Sequence, residues 1–392
     1  MIFIYLIFFL FSLGQIGRIS FFGQQVNIYL YELLLSISLL PLILKYKLES
    51  LKQAFKMHKE IFVFFVVLLF SYLIELSFFT ANQNAVAFLY LLRLALYFFA
   101  FIYIGWIVKR KPNFSKKILQ GLLFFIILTP IFSLAQYFLY PDLRNLFYLG
   151  WDPHLSRAFG LYLDTSVAAA IYGIALLFLL VNFSKIKLST YSKLMLILVY
   201  SIMGMLTYSR GFYVAMLLTL TVYLVSRKKY FYILLLTVIF FLSLMILPKK
   251  FGEGVNLLRT FSVDSRFQDD KVAISIWQRK PLLGIGYNRI RYEKERLGLL
   301  EKENEDVTHS GASFPSSFLI VLVTSGIVGL LAFIFALLKL AKNSELAKLL
   351  IIFTAVFSLT DNILLHPFVL FLLFTLLLSG RKAFNYRSNN LR

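Results

Sequence analysis

Residues 249–312 read KKFGEGVNLLRTFSVDSRFQDDKVAISIWQRKPLLGIGYNRIRYEKERLGLLEKENEDVTHSGA, the only long polar stretch in a chain of successive apolar runs. It carries Arg259, Arg266, Trp277, the turn Pro281-Leu282-Leu283-Gly284-Ile285-Gly286, a charged segment from Arg291 to Asp306, and His309. Upstream, where another apolar run ends, stands Thr207-Tyr208-Ser209-Arg210-Gly211. A helix needs about 20 apolar residues to cross the hydrocarbon core of a bilayer. The pattern therefore predicts an all-α, polytopic membrane bundle, a single domain over residues 1–392, that presents residues 249–312 as one large external loop.

Composition agrees. Of 392 residues, 60% are hydrophobic, with 43 Phe and 23 Tyr, and the mean hydropathy is +0.79; soluble domains lie well below this. The formal charge of +21 would attract phosphates, but most Lys and Arg sit in short clusters between apolar runs. That placement fits loops retained in the cytoplasm and argues against a nucleic-acid partner. The absence of Cys removes disulfides, thiolate metal sites and a Cys nucleophile together. The first apolar run starts at Met1, with no basic residues ahead of it and no small-residue cleavage site, so a first membrane helix is expected rather than a cleaved signal peptide.

Twelve candidate spans follow, at about 1–22, 26–44, 60–80, 86–108, 117–140, 162–183, 191–208, 210–226, 230–248, 314–338, 347–361 and 363–380. More than half of the 40 Lys and Arg fall in the connections after even-numbered spans. Both termini are thus expected in the cytoplasm, with the long loop outside an inner, cytoplasmic membrane. In this topology Glu32, Glu75, Arg93, Asp164 and Arg210 all map toward the external ends of their runs. Ionisable residues inside a membrane mark functional sites; the ordinary alternative is that Glu75 and Arg93 pair and that Glu32 snorkels to the interface. Within the loop, Asp264 or Ser265 could cap a helix with Phe267, Ile274 and Trp277 on one face, ending at Pro281, and 291–304 resembles a second, solvated helix.

No Walker loop, His-Glu-x-x-His or Gly-x-Ser-x-Gly signature is present. Four scattered His make a His-rich metal site improbable; Asp264, Asp269 and Asp270 are close enough in sequence for an all-carboxylate divalent-ion site, though a solvated helix face is the favoured reading. Arg210, with Gly211 beside it to let a bulky group approach, offers a planar fork for a phosphate or diphosphate. It could equally reach lipid headgroups, and Arg157 and Arg266 carry the same two readings. His309, flanked by Thr308 and Ser310, could serve as a general base or be an ordinary loop histidine.

Taken in order, these features resemble the bacterial O-antigen ligase and O-antigen polymerase superfamily. Thr207 to Gly211 resembles its Ser-Arg-Gly element. Ser265-Arg266, Ala273 and Pro281 to Gly286 resemble the opening of its large periplasmic loop. Thr308-His309-Ser310, followed by Phe318-Leu319 and Ser325-Gly326-Ile327-Val328-Gly329, resembles the loop exit, and Arg157-Ala158-Phe159-Gly160-Leu161-Tyr162 its Arg-x-x-Gly-x-Phe element. The likeness spans about 157–330. Ser310 stands where Asn is usual, Asp164-Thr165-Ser166 replaces an Asn-Pro-Asn-like segment, and Asp270 stands where Trp is expected.

The resemblance implies a GT-C-like membrane glycosyltransferase that uses no metal or other cofactor. Its donor would be a polyprenyl-diphosphate-linked glycan, and its acceptor a glycan, lipid or protein hydroxyl. It further implies catalytic roles for Arg210, Arg266 and His309. Arg157, Arg93, Arg259 and Trp277 are expected as substrate contacts, with membrane lipids around the bundle. A transporter of a lipid-linked sugar or small solute is the rival reading. Its marks would be broken helices and midplane charges reachable from both sides.

Overall fold

The computed structural model describes residues 2–21, 25–46, 49–149, 151–248, 255–257, 261–299 and 313–379. Its helices are α1 (Ile2–Ser12), α2 (Leu30–Tyr46), α3 (Glu49–Met57), α4 (Lys59–Ile74), α5 (Ala81–Arg110), α6 (Pro112–Leu139), α7 (Thr165–Val181), α8 (Thr190–Met205), α9 (Arg210–Ser226), α10 (Tyr230–Ile246), α11 (Phe261–Arg279), α12 (Ile290–Arg296), α13 (Ser317–Ala341), α14 (Glu345–Phe357) and α15 (Pro367–Ser379). Every one of the twelve apolar runs holds an apolar helix. By length and composition three of the described helices could cross a membrane, within Ala81–Arg110, Asn113–Leu139 and Ser317–Ala341; most of the others are shorter apolar helices.

At the centre of the bundle lies α7, whose side chains are buried along almost its whole length. Around it pack α8, α9, α14 and α15, while α4 lies along α13 and α1 along α6. Gly173 on α7 leaves room for the Phe353 ring of α14, which a Cβ would meet at 2.3 Å. Arg227 and Glu345 pair at 2.5 Å between the ends of α9 and α14.

The N-terminal run departs from expectation. Instead of one helix over 1–22, α1 stops at Ser12, and a 3-10 turn over Gly14–Gly17 leads into an antiparallel hairpin of β1 (Arg18–Phe21) and β2 (Val26–Tyr29). Gly14 explains the break. It sits at φ +54°, and a Cβ there would lie 2.3 Å from the Leu161 carbonyl oxygen, so the chain packs backbone to backbone on the segment before α7.

The loop helices also differ from the forecast. The buried stripe of α11 is Ala273 and Ile276, against α13, while Phe267 is 59% exposed. The second helix is not solvated: α12 is short, and Ile290, Tyr292, Glu293 and Lys294 are buried. Arg289, just before it, is fully buried. It donates to the Tyr72 carbonyl at 3.0 Å and to the Asn84 side chain, and its guanidinium lies over the Tyr72 and Phe79 rings. Lys280 pairs with Glu75.

The loop is held most tightly where the Pro281–Gly286 turn meets a break in α13. Gly326, inside that helix, has φ 64° and ψ −169°. The chain there leaves helical geometry, and its backbone groups turn to the loop instead. The Ile285 N–H donates to Val323 O at 3.0 Å, Gly286 N–H to Thr324 O at 2.9 Å, and Ile327 N–H to Pro281 O at 2.9 Å. Ser71 Oγ of α4 donates to Leu283 O and, at 2.8 Å, to Thr324 O. Both glycines have positive φ, and a Cβ would meet backbone at 2.4 Å on Gly284 and 2.1 Å on Gly326.

These contacts separate three substitutions. Gly298 also has φ +64° but nothing within 4 Å of its Cβ position, so Gly298→Ala meets only the left-handed penalty, about 1–2 kcal/mol. Gly284→Ala and Gly326→Ala add a backbone collision. Thermal unfolding in nanodiscs should show a larger loss for each of these two than for Gly298→Ala; equal losses would contradict the lock.

Candidate functional site

The segment before α7 is sewn to the α8–α9 junction. Arg157 Nε donates to the Thr207 carbonyl at 2.8 Å, and the Ala158 N–H donates to Leu206 O at 2.9 Å. Gln136 of α6 holds the same segment from the other side. Its Oε1 accepts from the Phe159 and Gly160 N–H groups at 3.0 and 2.9 Å, and its Nε2 donates to Arg157 O at 3.3 Å. Arg157 is buried.

At the junction itself Tyr208 has φ +53°, and its hydroxyl donates to Pro248 O at 2.6 Å. Ser209 caps α9, its side chain accepting from Phe212 N. Arg210 thus opens α9 at a defined position. The bulky group that Gly211 admits belongs to the protein: a Cβ there would meet Thr360 Oγ1 at 2.4 Å and the Phe357 ring at 2.9 Å. That glycine lets the turn between α14 and α15 come in beside Arg210.

The turn supplies Asp361, which the structure brings to Arg266 of α11 in a 2.9 Å ion pair. Asp361 Oδ1 also accepts from Ser166 Oγ at 2.7 Å, and Oδ2 from Thr360 Oγ1 at 2.8 Å. Arg210 lies within electrostatic reach of both Arg266 and Asp361. Asp164 caps α7, accepting from Ser166 N at 2.7 Å and Val167 N at 3.0 Å, and feels the charges of Asp152 and Asp361. Burial raises the Asp152 carboxyl above its ordinary pKa, and Arg157 opposes that shift. Arg266 and Arg210, from the loop and from the bundle, therefore form one Arg–Asp network around Asp361, while Arg157 acts on Asp152 in the segment before α7.

Beside this network opens a polar cavity of about 430 Å³, walled by Arg18, Trp151, Asp152, His154, Asp164 and Asp269 among others.

Other sequence candidates fall elsewhere. Arg93 pairs with Glu32 at 2.8 Å, not with Glu75, and Glu32 is buried, not snorkelling. The Glu32 carboxylate also accepts from Tyr29 N at 2.9 Å and from the Tyr97 hydroxyl. Trp277 Nε1 donates to Pro281 O at 3.1 Å, a bond that fixes the end of α11. His309, with Thr308 and Ser310, and Arg259 lie outside the described residues. Asp269 pairs with Lys294 at 3.2 Å, and no group of three or more metal-ligating side chains occurs among the described residues. Sequence reasoning missed Asp361 as a site residue; its signal was a carboxylate in the short gap between the last two apolar runs.

Asp361→Asn keeps the shape of that turn but leaves Arg266 facing a neutral amide. The pair is only partly buried, so the expected loss is about 1–2 kcal/mol, read as a lower Tm in nanodiscs. Asp361→Ala, which also orphans the Ser166 and Thr360 hydroxyls, should lose more.

A sequence model of the family described as O-antigen ligase aligns with residues 194–334. No curated protein sequence matches the chain. The matched segment runs from α8 into α13 and contains Arg210, Arg266 and both glycines of the lock, whereas Arg157 and Asp361 lie outside it. Over residues 194–334 the chain is thus similar to the O-antigen ligase family.

Proposed function

We propose that this protein is a glycosyltransferase of the cytoplasmic membrane that moves a glycan from a polyprenyl diphosphate to an acceptor hydroxyl at the outer face. The observation that carries this reading is the approach of Arg210, from the helical bundle, to Arg266, from the loop, around a shared Asp361. Twelve spans, cytoplasmic termini and an external loop complete the proposed arrangement, which rests on the alternation of basic connections.

In the proposed reaction the acceptor oxygen forms a bond to the anomeric carbon as the bond from that carbon to the diphosphate oxygen breaks. Negative charge builds on the leaving diphosphate. Guanidinium groups already in place stabilise it without reorganising at the moment of reaction. Arg210 and Arg266 take that role, with Arg157 as a third cation. Asp361 holds Arg266 in position and keeps the cluster from being a bare concentration of positive charge. His309 receives the acceptor proton or orients the hydroxyl. Arg93 and Trp277 contribute to substrate binding through the elements they position, and Arg259 is a further substrate contact. The acceptor is a lipid core in a ligase, a second lipid-linked repeat unit in a polymerase, or a protein.

The test uses reconstituted bilayers supplied with a polyprenyl-diphosphate oligosaccharide and candidate acceptors. Release of free polyprenyl diphosphate is expected from the wild type. Arg210→Ala, Arg266→Ala and His309→Ala should each reduce it by about 10²-fold or more. A ladder of products identifies a polymerase and a single addition a ligase. No release with any acceptor, together with passage of labelled glycolipid across the bilayer, would overturn the transferase reading in favour of a transporter.

A further inference from the structure

Ser313 and His366 line the polar cavity beside the Arg–Asp network, and they also line a second chamber of about 200 Å³ whose wall includes Asn288, Asn362, Tyr287 and Tyr90. The larger chamber, about 430 Å³, lies within the range of roughly 300–1,000 Å³ usual for small-molecule sites.

Its chemistry is unlike that of the arginine cluster. Three carboxylates, Asp152, Asp164 and Asp269, line it against one guanidinium, Arg18; with Asp269 paired to Lys294, Asp152 and Asp164 still outnumber Arg18, which lies over the Trp151 ring at 5.0 Å. In the second chamber the one cation, Arg93, is already paired with Glu32. A diphosphate would meet repulsion here. A polyhydroxylated ring would not: carboxylates accept from hydroxyls, side-chain amides donate and accept, and aromatic faces such as Trp151 and Tyr29 cover C–H surfaces.

A separate observation points to a ligand at the junction. His366 Nδ1 is buried and has no hydrogen-bond partner among the described residues. The ring is held flat by Phe368, at 5.5 Å between centroids and 30° between planes. An unsatisfied buried nitrogen costs free energy that a bound hydroxyl would return.

We propose that the two chambers that share Ser313 and His366 in their walls form a saccharide site for uncharged or amino-bearing sugar residues, with His366 Nδ1 bonding a sugar hydroxyl. The sugar belongs either to the donor glycan or to the acceptor. This deepens the transferase reading and rests on it. The diphosphate sits at Arg210 and Arg266, and the glycan extends away from them into a compartment of opposite charge.

The chain has no cysteine, so Ser313→Cys places a single thiol in the wall shared by both chambers. Gln15→Cys gives a second, independent thiol in the larger chamber, and Tyr191→Cys, at a position 74% exposed, serves as control. Purified variants in nanodiscs are treated with a small uncharged methanethiosulfonate. The probes are a polyprenyl-diphosphate trisaccharide of N-acetylhexosamines, sugar-free undecaprenyl diphosphate, and soluble chitotriose as acceptor mimic. Release of polyprenyl diphosphate is followed in the same samples.

The expected result is at least fivefold slower modification of the wall thiols with a sugar-bearing probe, no slowing with the sugar-free lipid, and no change at the control. Slowing by the lipid-linked trisaccharide alone assigns the chambers to the donor; slowing by chitotriose assigns them to the acceptor. Equal slowing by sugar-free lipid, or none by any probe, overturns the proposal. Equal protection by a uronate-bearing glycolipid overturns the charge preference. Protection by sugar without release of polyprenyl diphosphate keeps the saccharide site and rejects the transferase reading; release without protection does the reverse.

Discussion

The structure depends on a backbone-to-backbone junction between a loop and a broken membrane helix. At Gly326 the helix α13 gives up its own ladder, and the Pro281–Gly286 turn takes over the groups set free. In an apolar environment an unpaired N–H or C=O costs several kcal/mol, so neither partner can leave without the other. Only glycine allows the approach, because a Cβ at Gly284 or Gly326 would stand within 2.4 Å of backbone atoms. The consequence reaches well beyond the turn. With its C-terminal end fixed there, α11 lies along α13, and that carries Arg266 to the turn holding Asp361.

Around this junction the polar groups of an otherwise apolar protein have been sorted into two kinds. Structural pairs are closed. Arg93 with Glu32, Lys280 with Glu75 and Arg289 with Tyr72 O each join elements distant in sequence. Arg210 and Arg266 are different, since these two cations come together where α9, α11 and the turn after α14 meet. Asp361 offsets part of the repulsion between Arg210 and Arg266. A preorganised group of cations that already carries a carboxylate can hold a diphosphate without the cluster destabilising the fold in its absence.

Much of this was legible in the sequence, and the reason is physical. Apolar runs of membrane length report helices directly, so the twelve runs each contain one. The spacing of Arg210, Arg266 and the glycine-bearing turns was visible as a pattern, but not its cause. Gly284 and Gly326 are 42 residues apart in the numbering, and nothing local shows that one fills the gap in the other. Partners of buried charges were illegible for the same reason. Glu75 and Arg93 looked paired because they lie on neighbouring runs, whereas tertiary packing gave each a different partner. The N-terminal hairpin was hidden in the facing ends of two apolar runs because a strand and a helix of apolar residues have the same composition, and Gly14 marks the break. Asp361 read as a loop residue until the approach of α9, opened by Gly211, placed it among the arginines.

In the proposed reaction a bundle arginine and a loop arginine act on one anion. A double-mutant cycle on the binding of sugar-free undecaprenyl diphosphate to the protein in nanodiscs, read by native mass spectrometry, tests it most directly. If Arg210 and Arg266 share the diphosphate, the loss in the double Arg210→Ala, Arg266→Ala variant will fall short of the sum of the single losses by about 1 kcal/mol or more. Strictly additive losses, or single variants that bind as the wild type does, would show that the two arginines do not form one site.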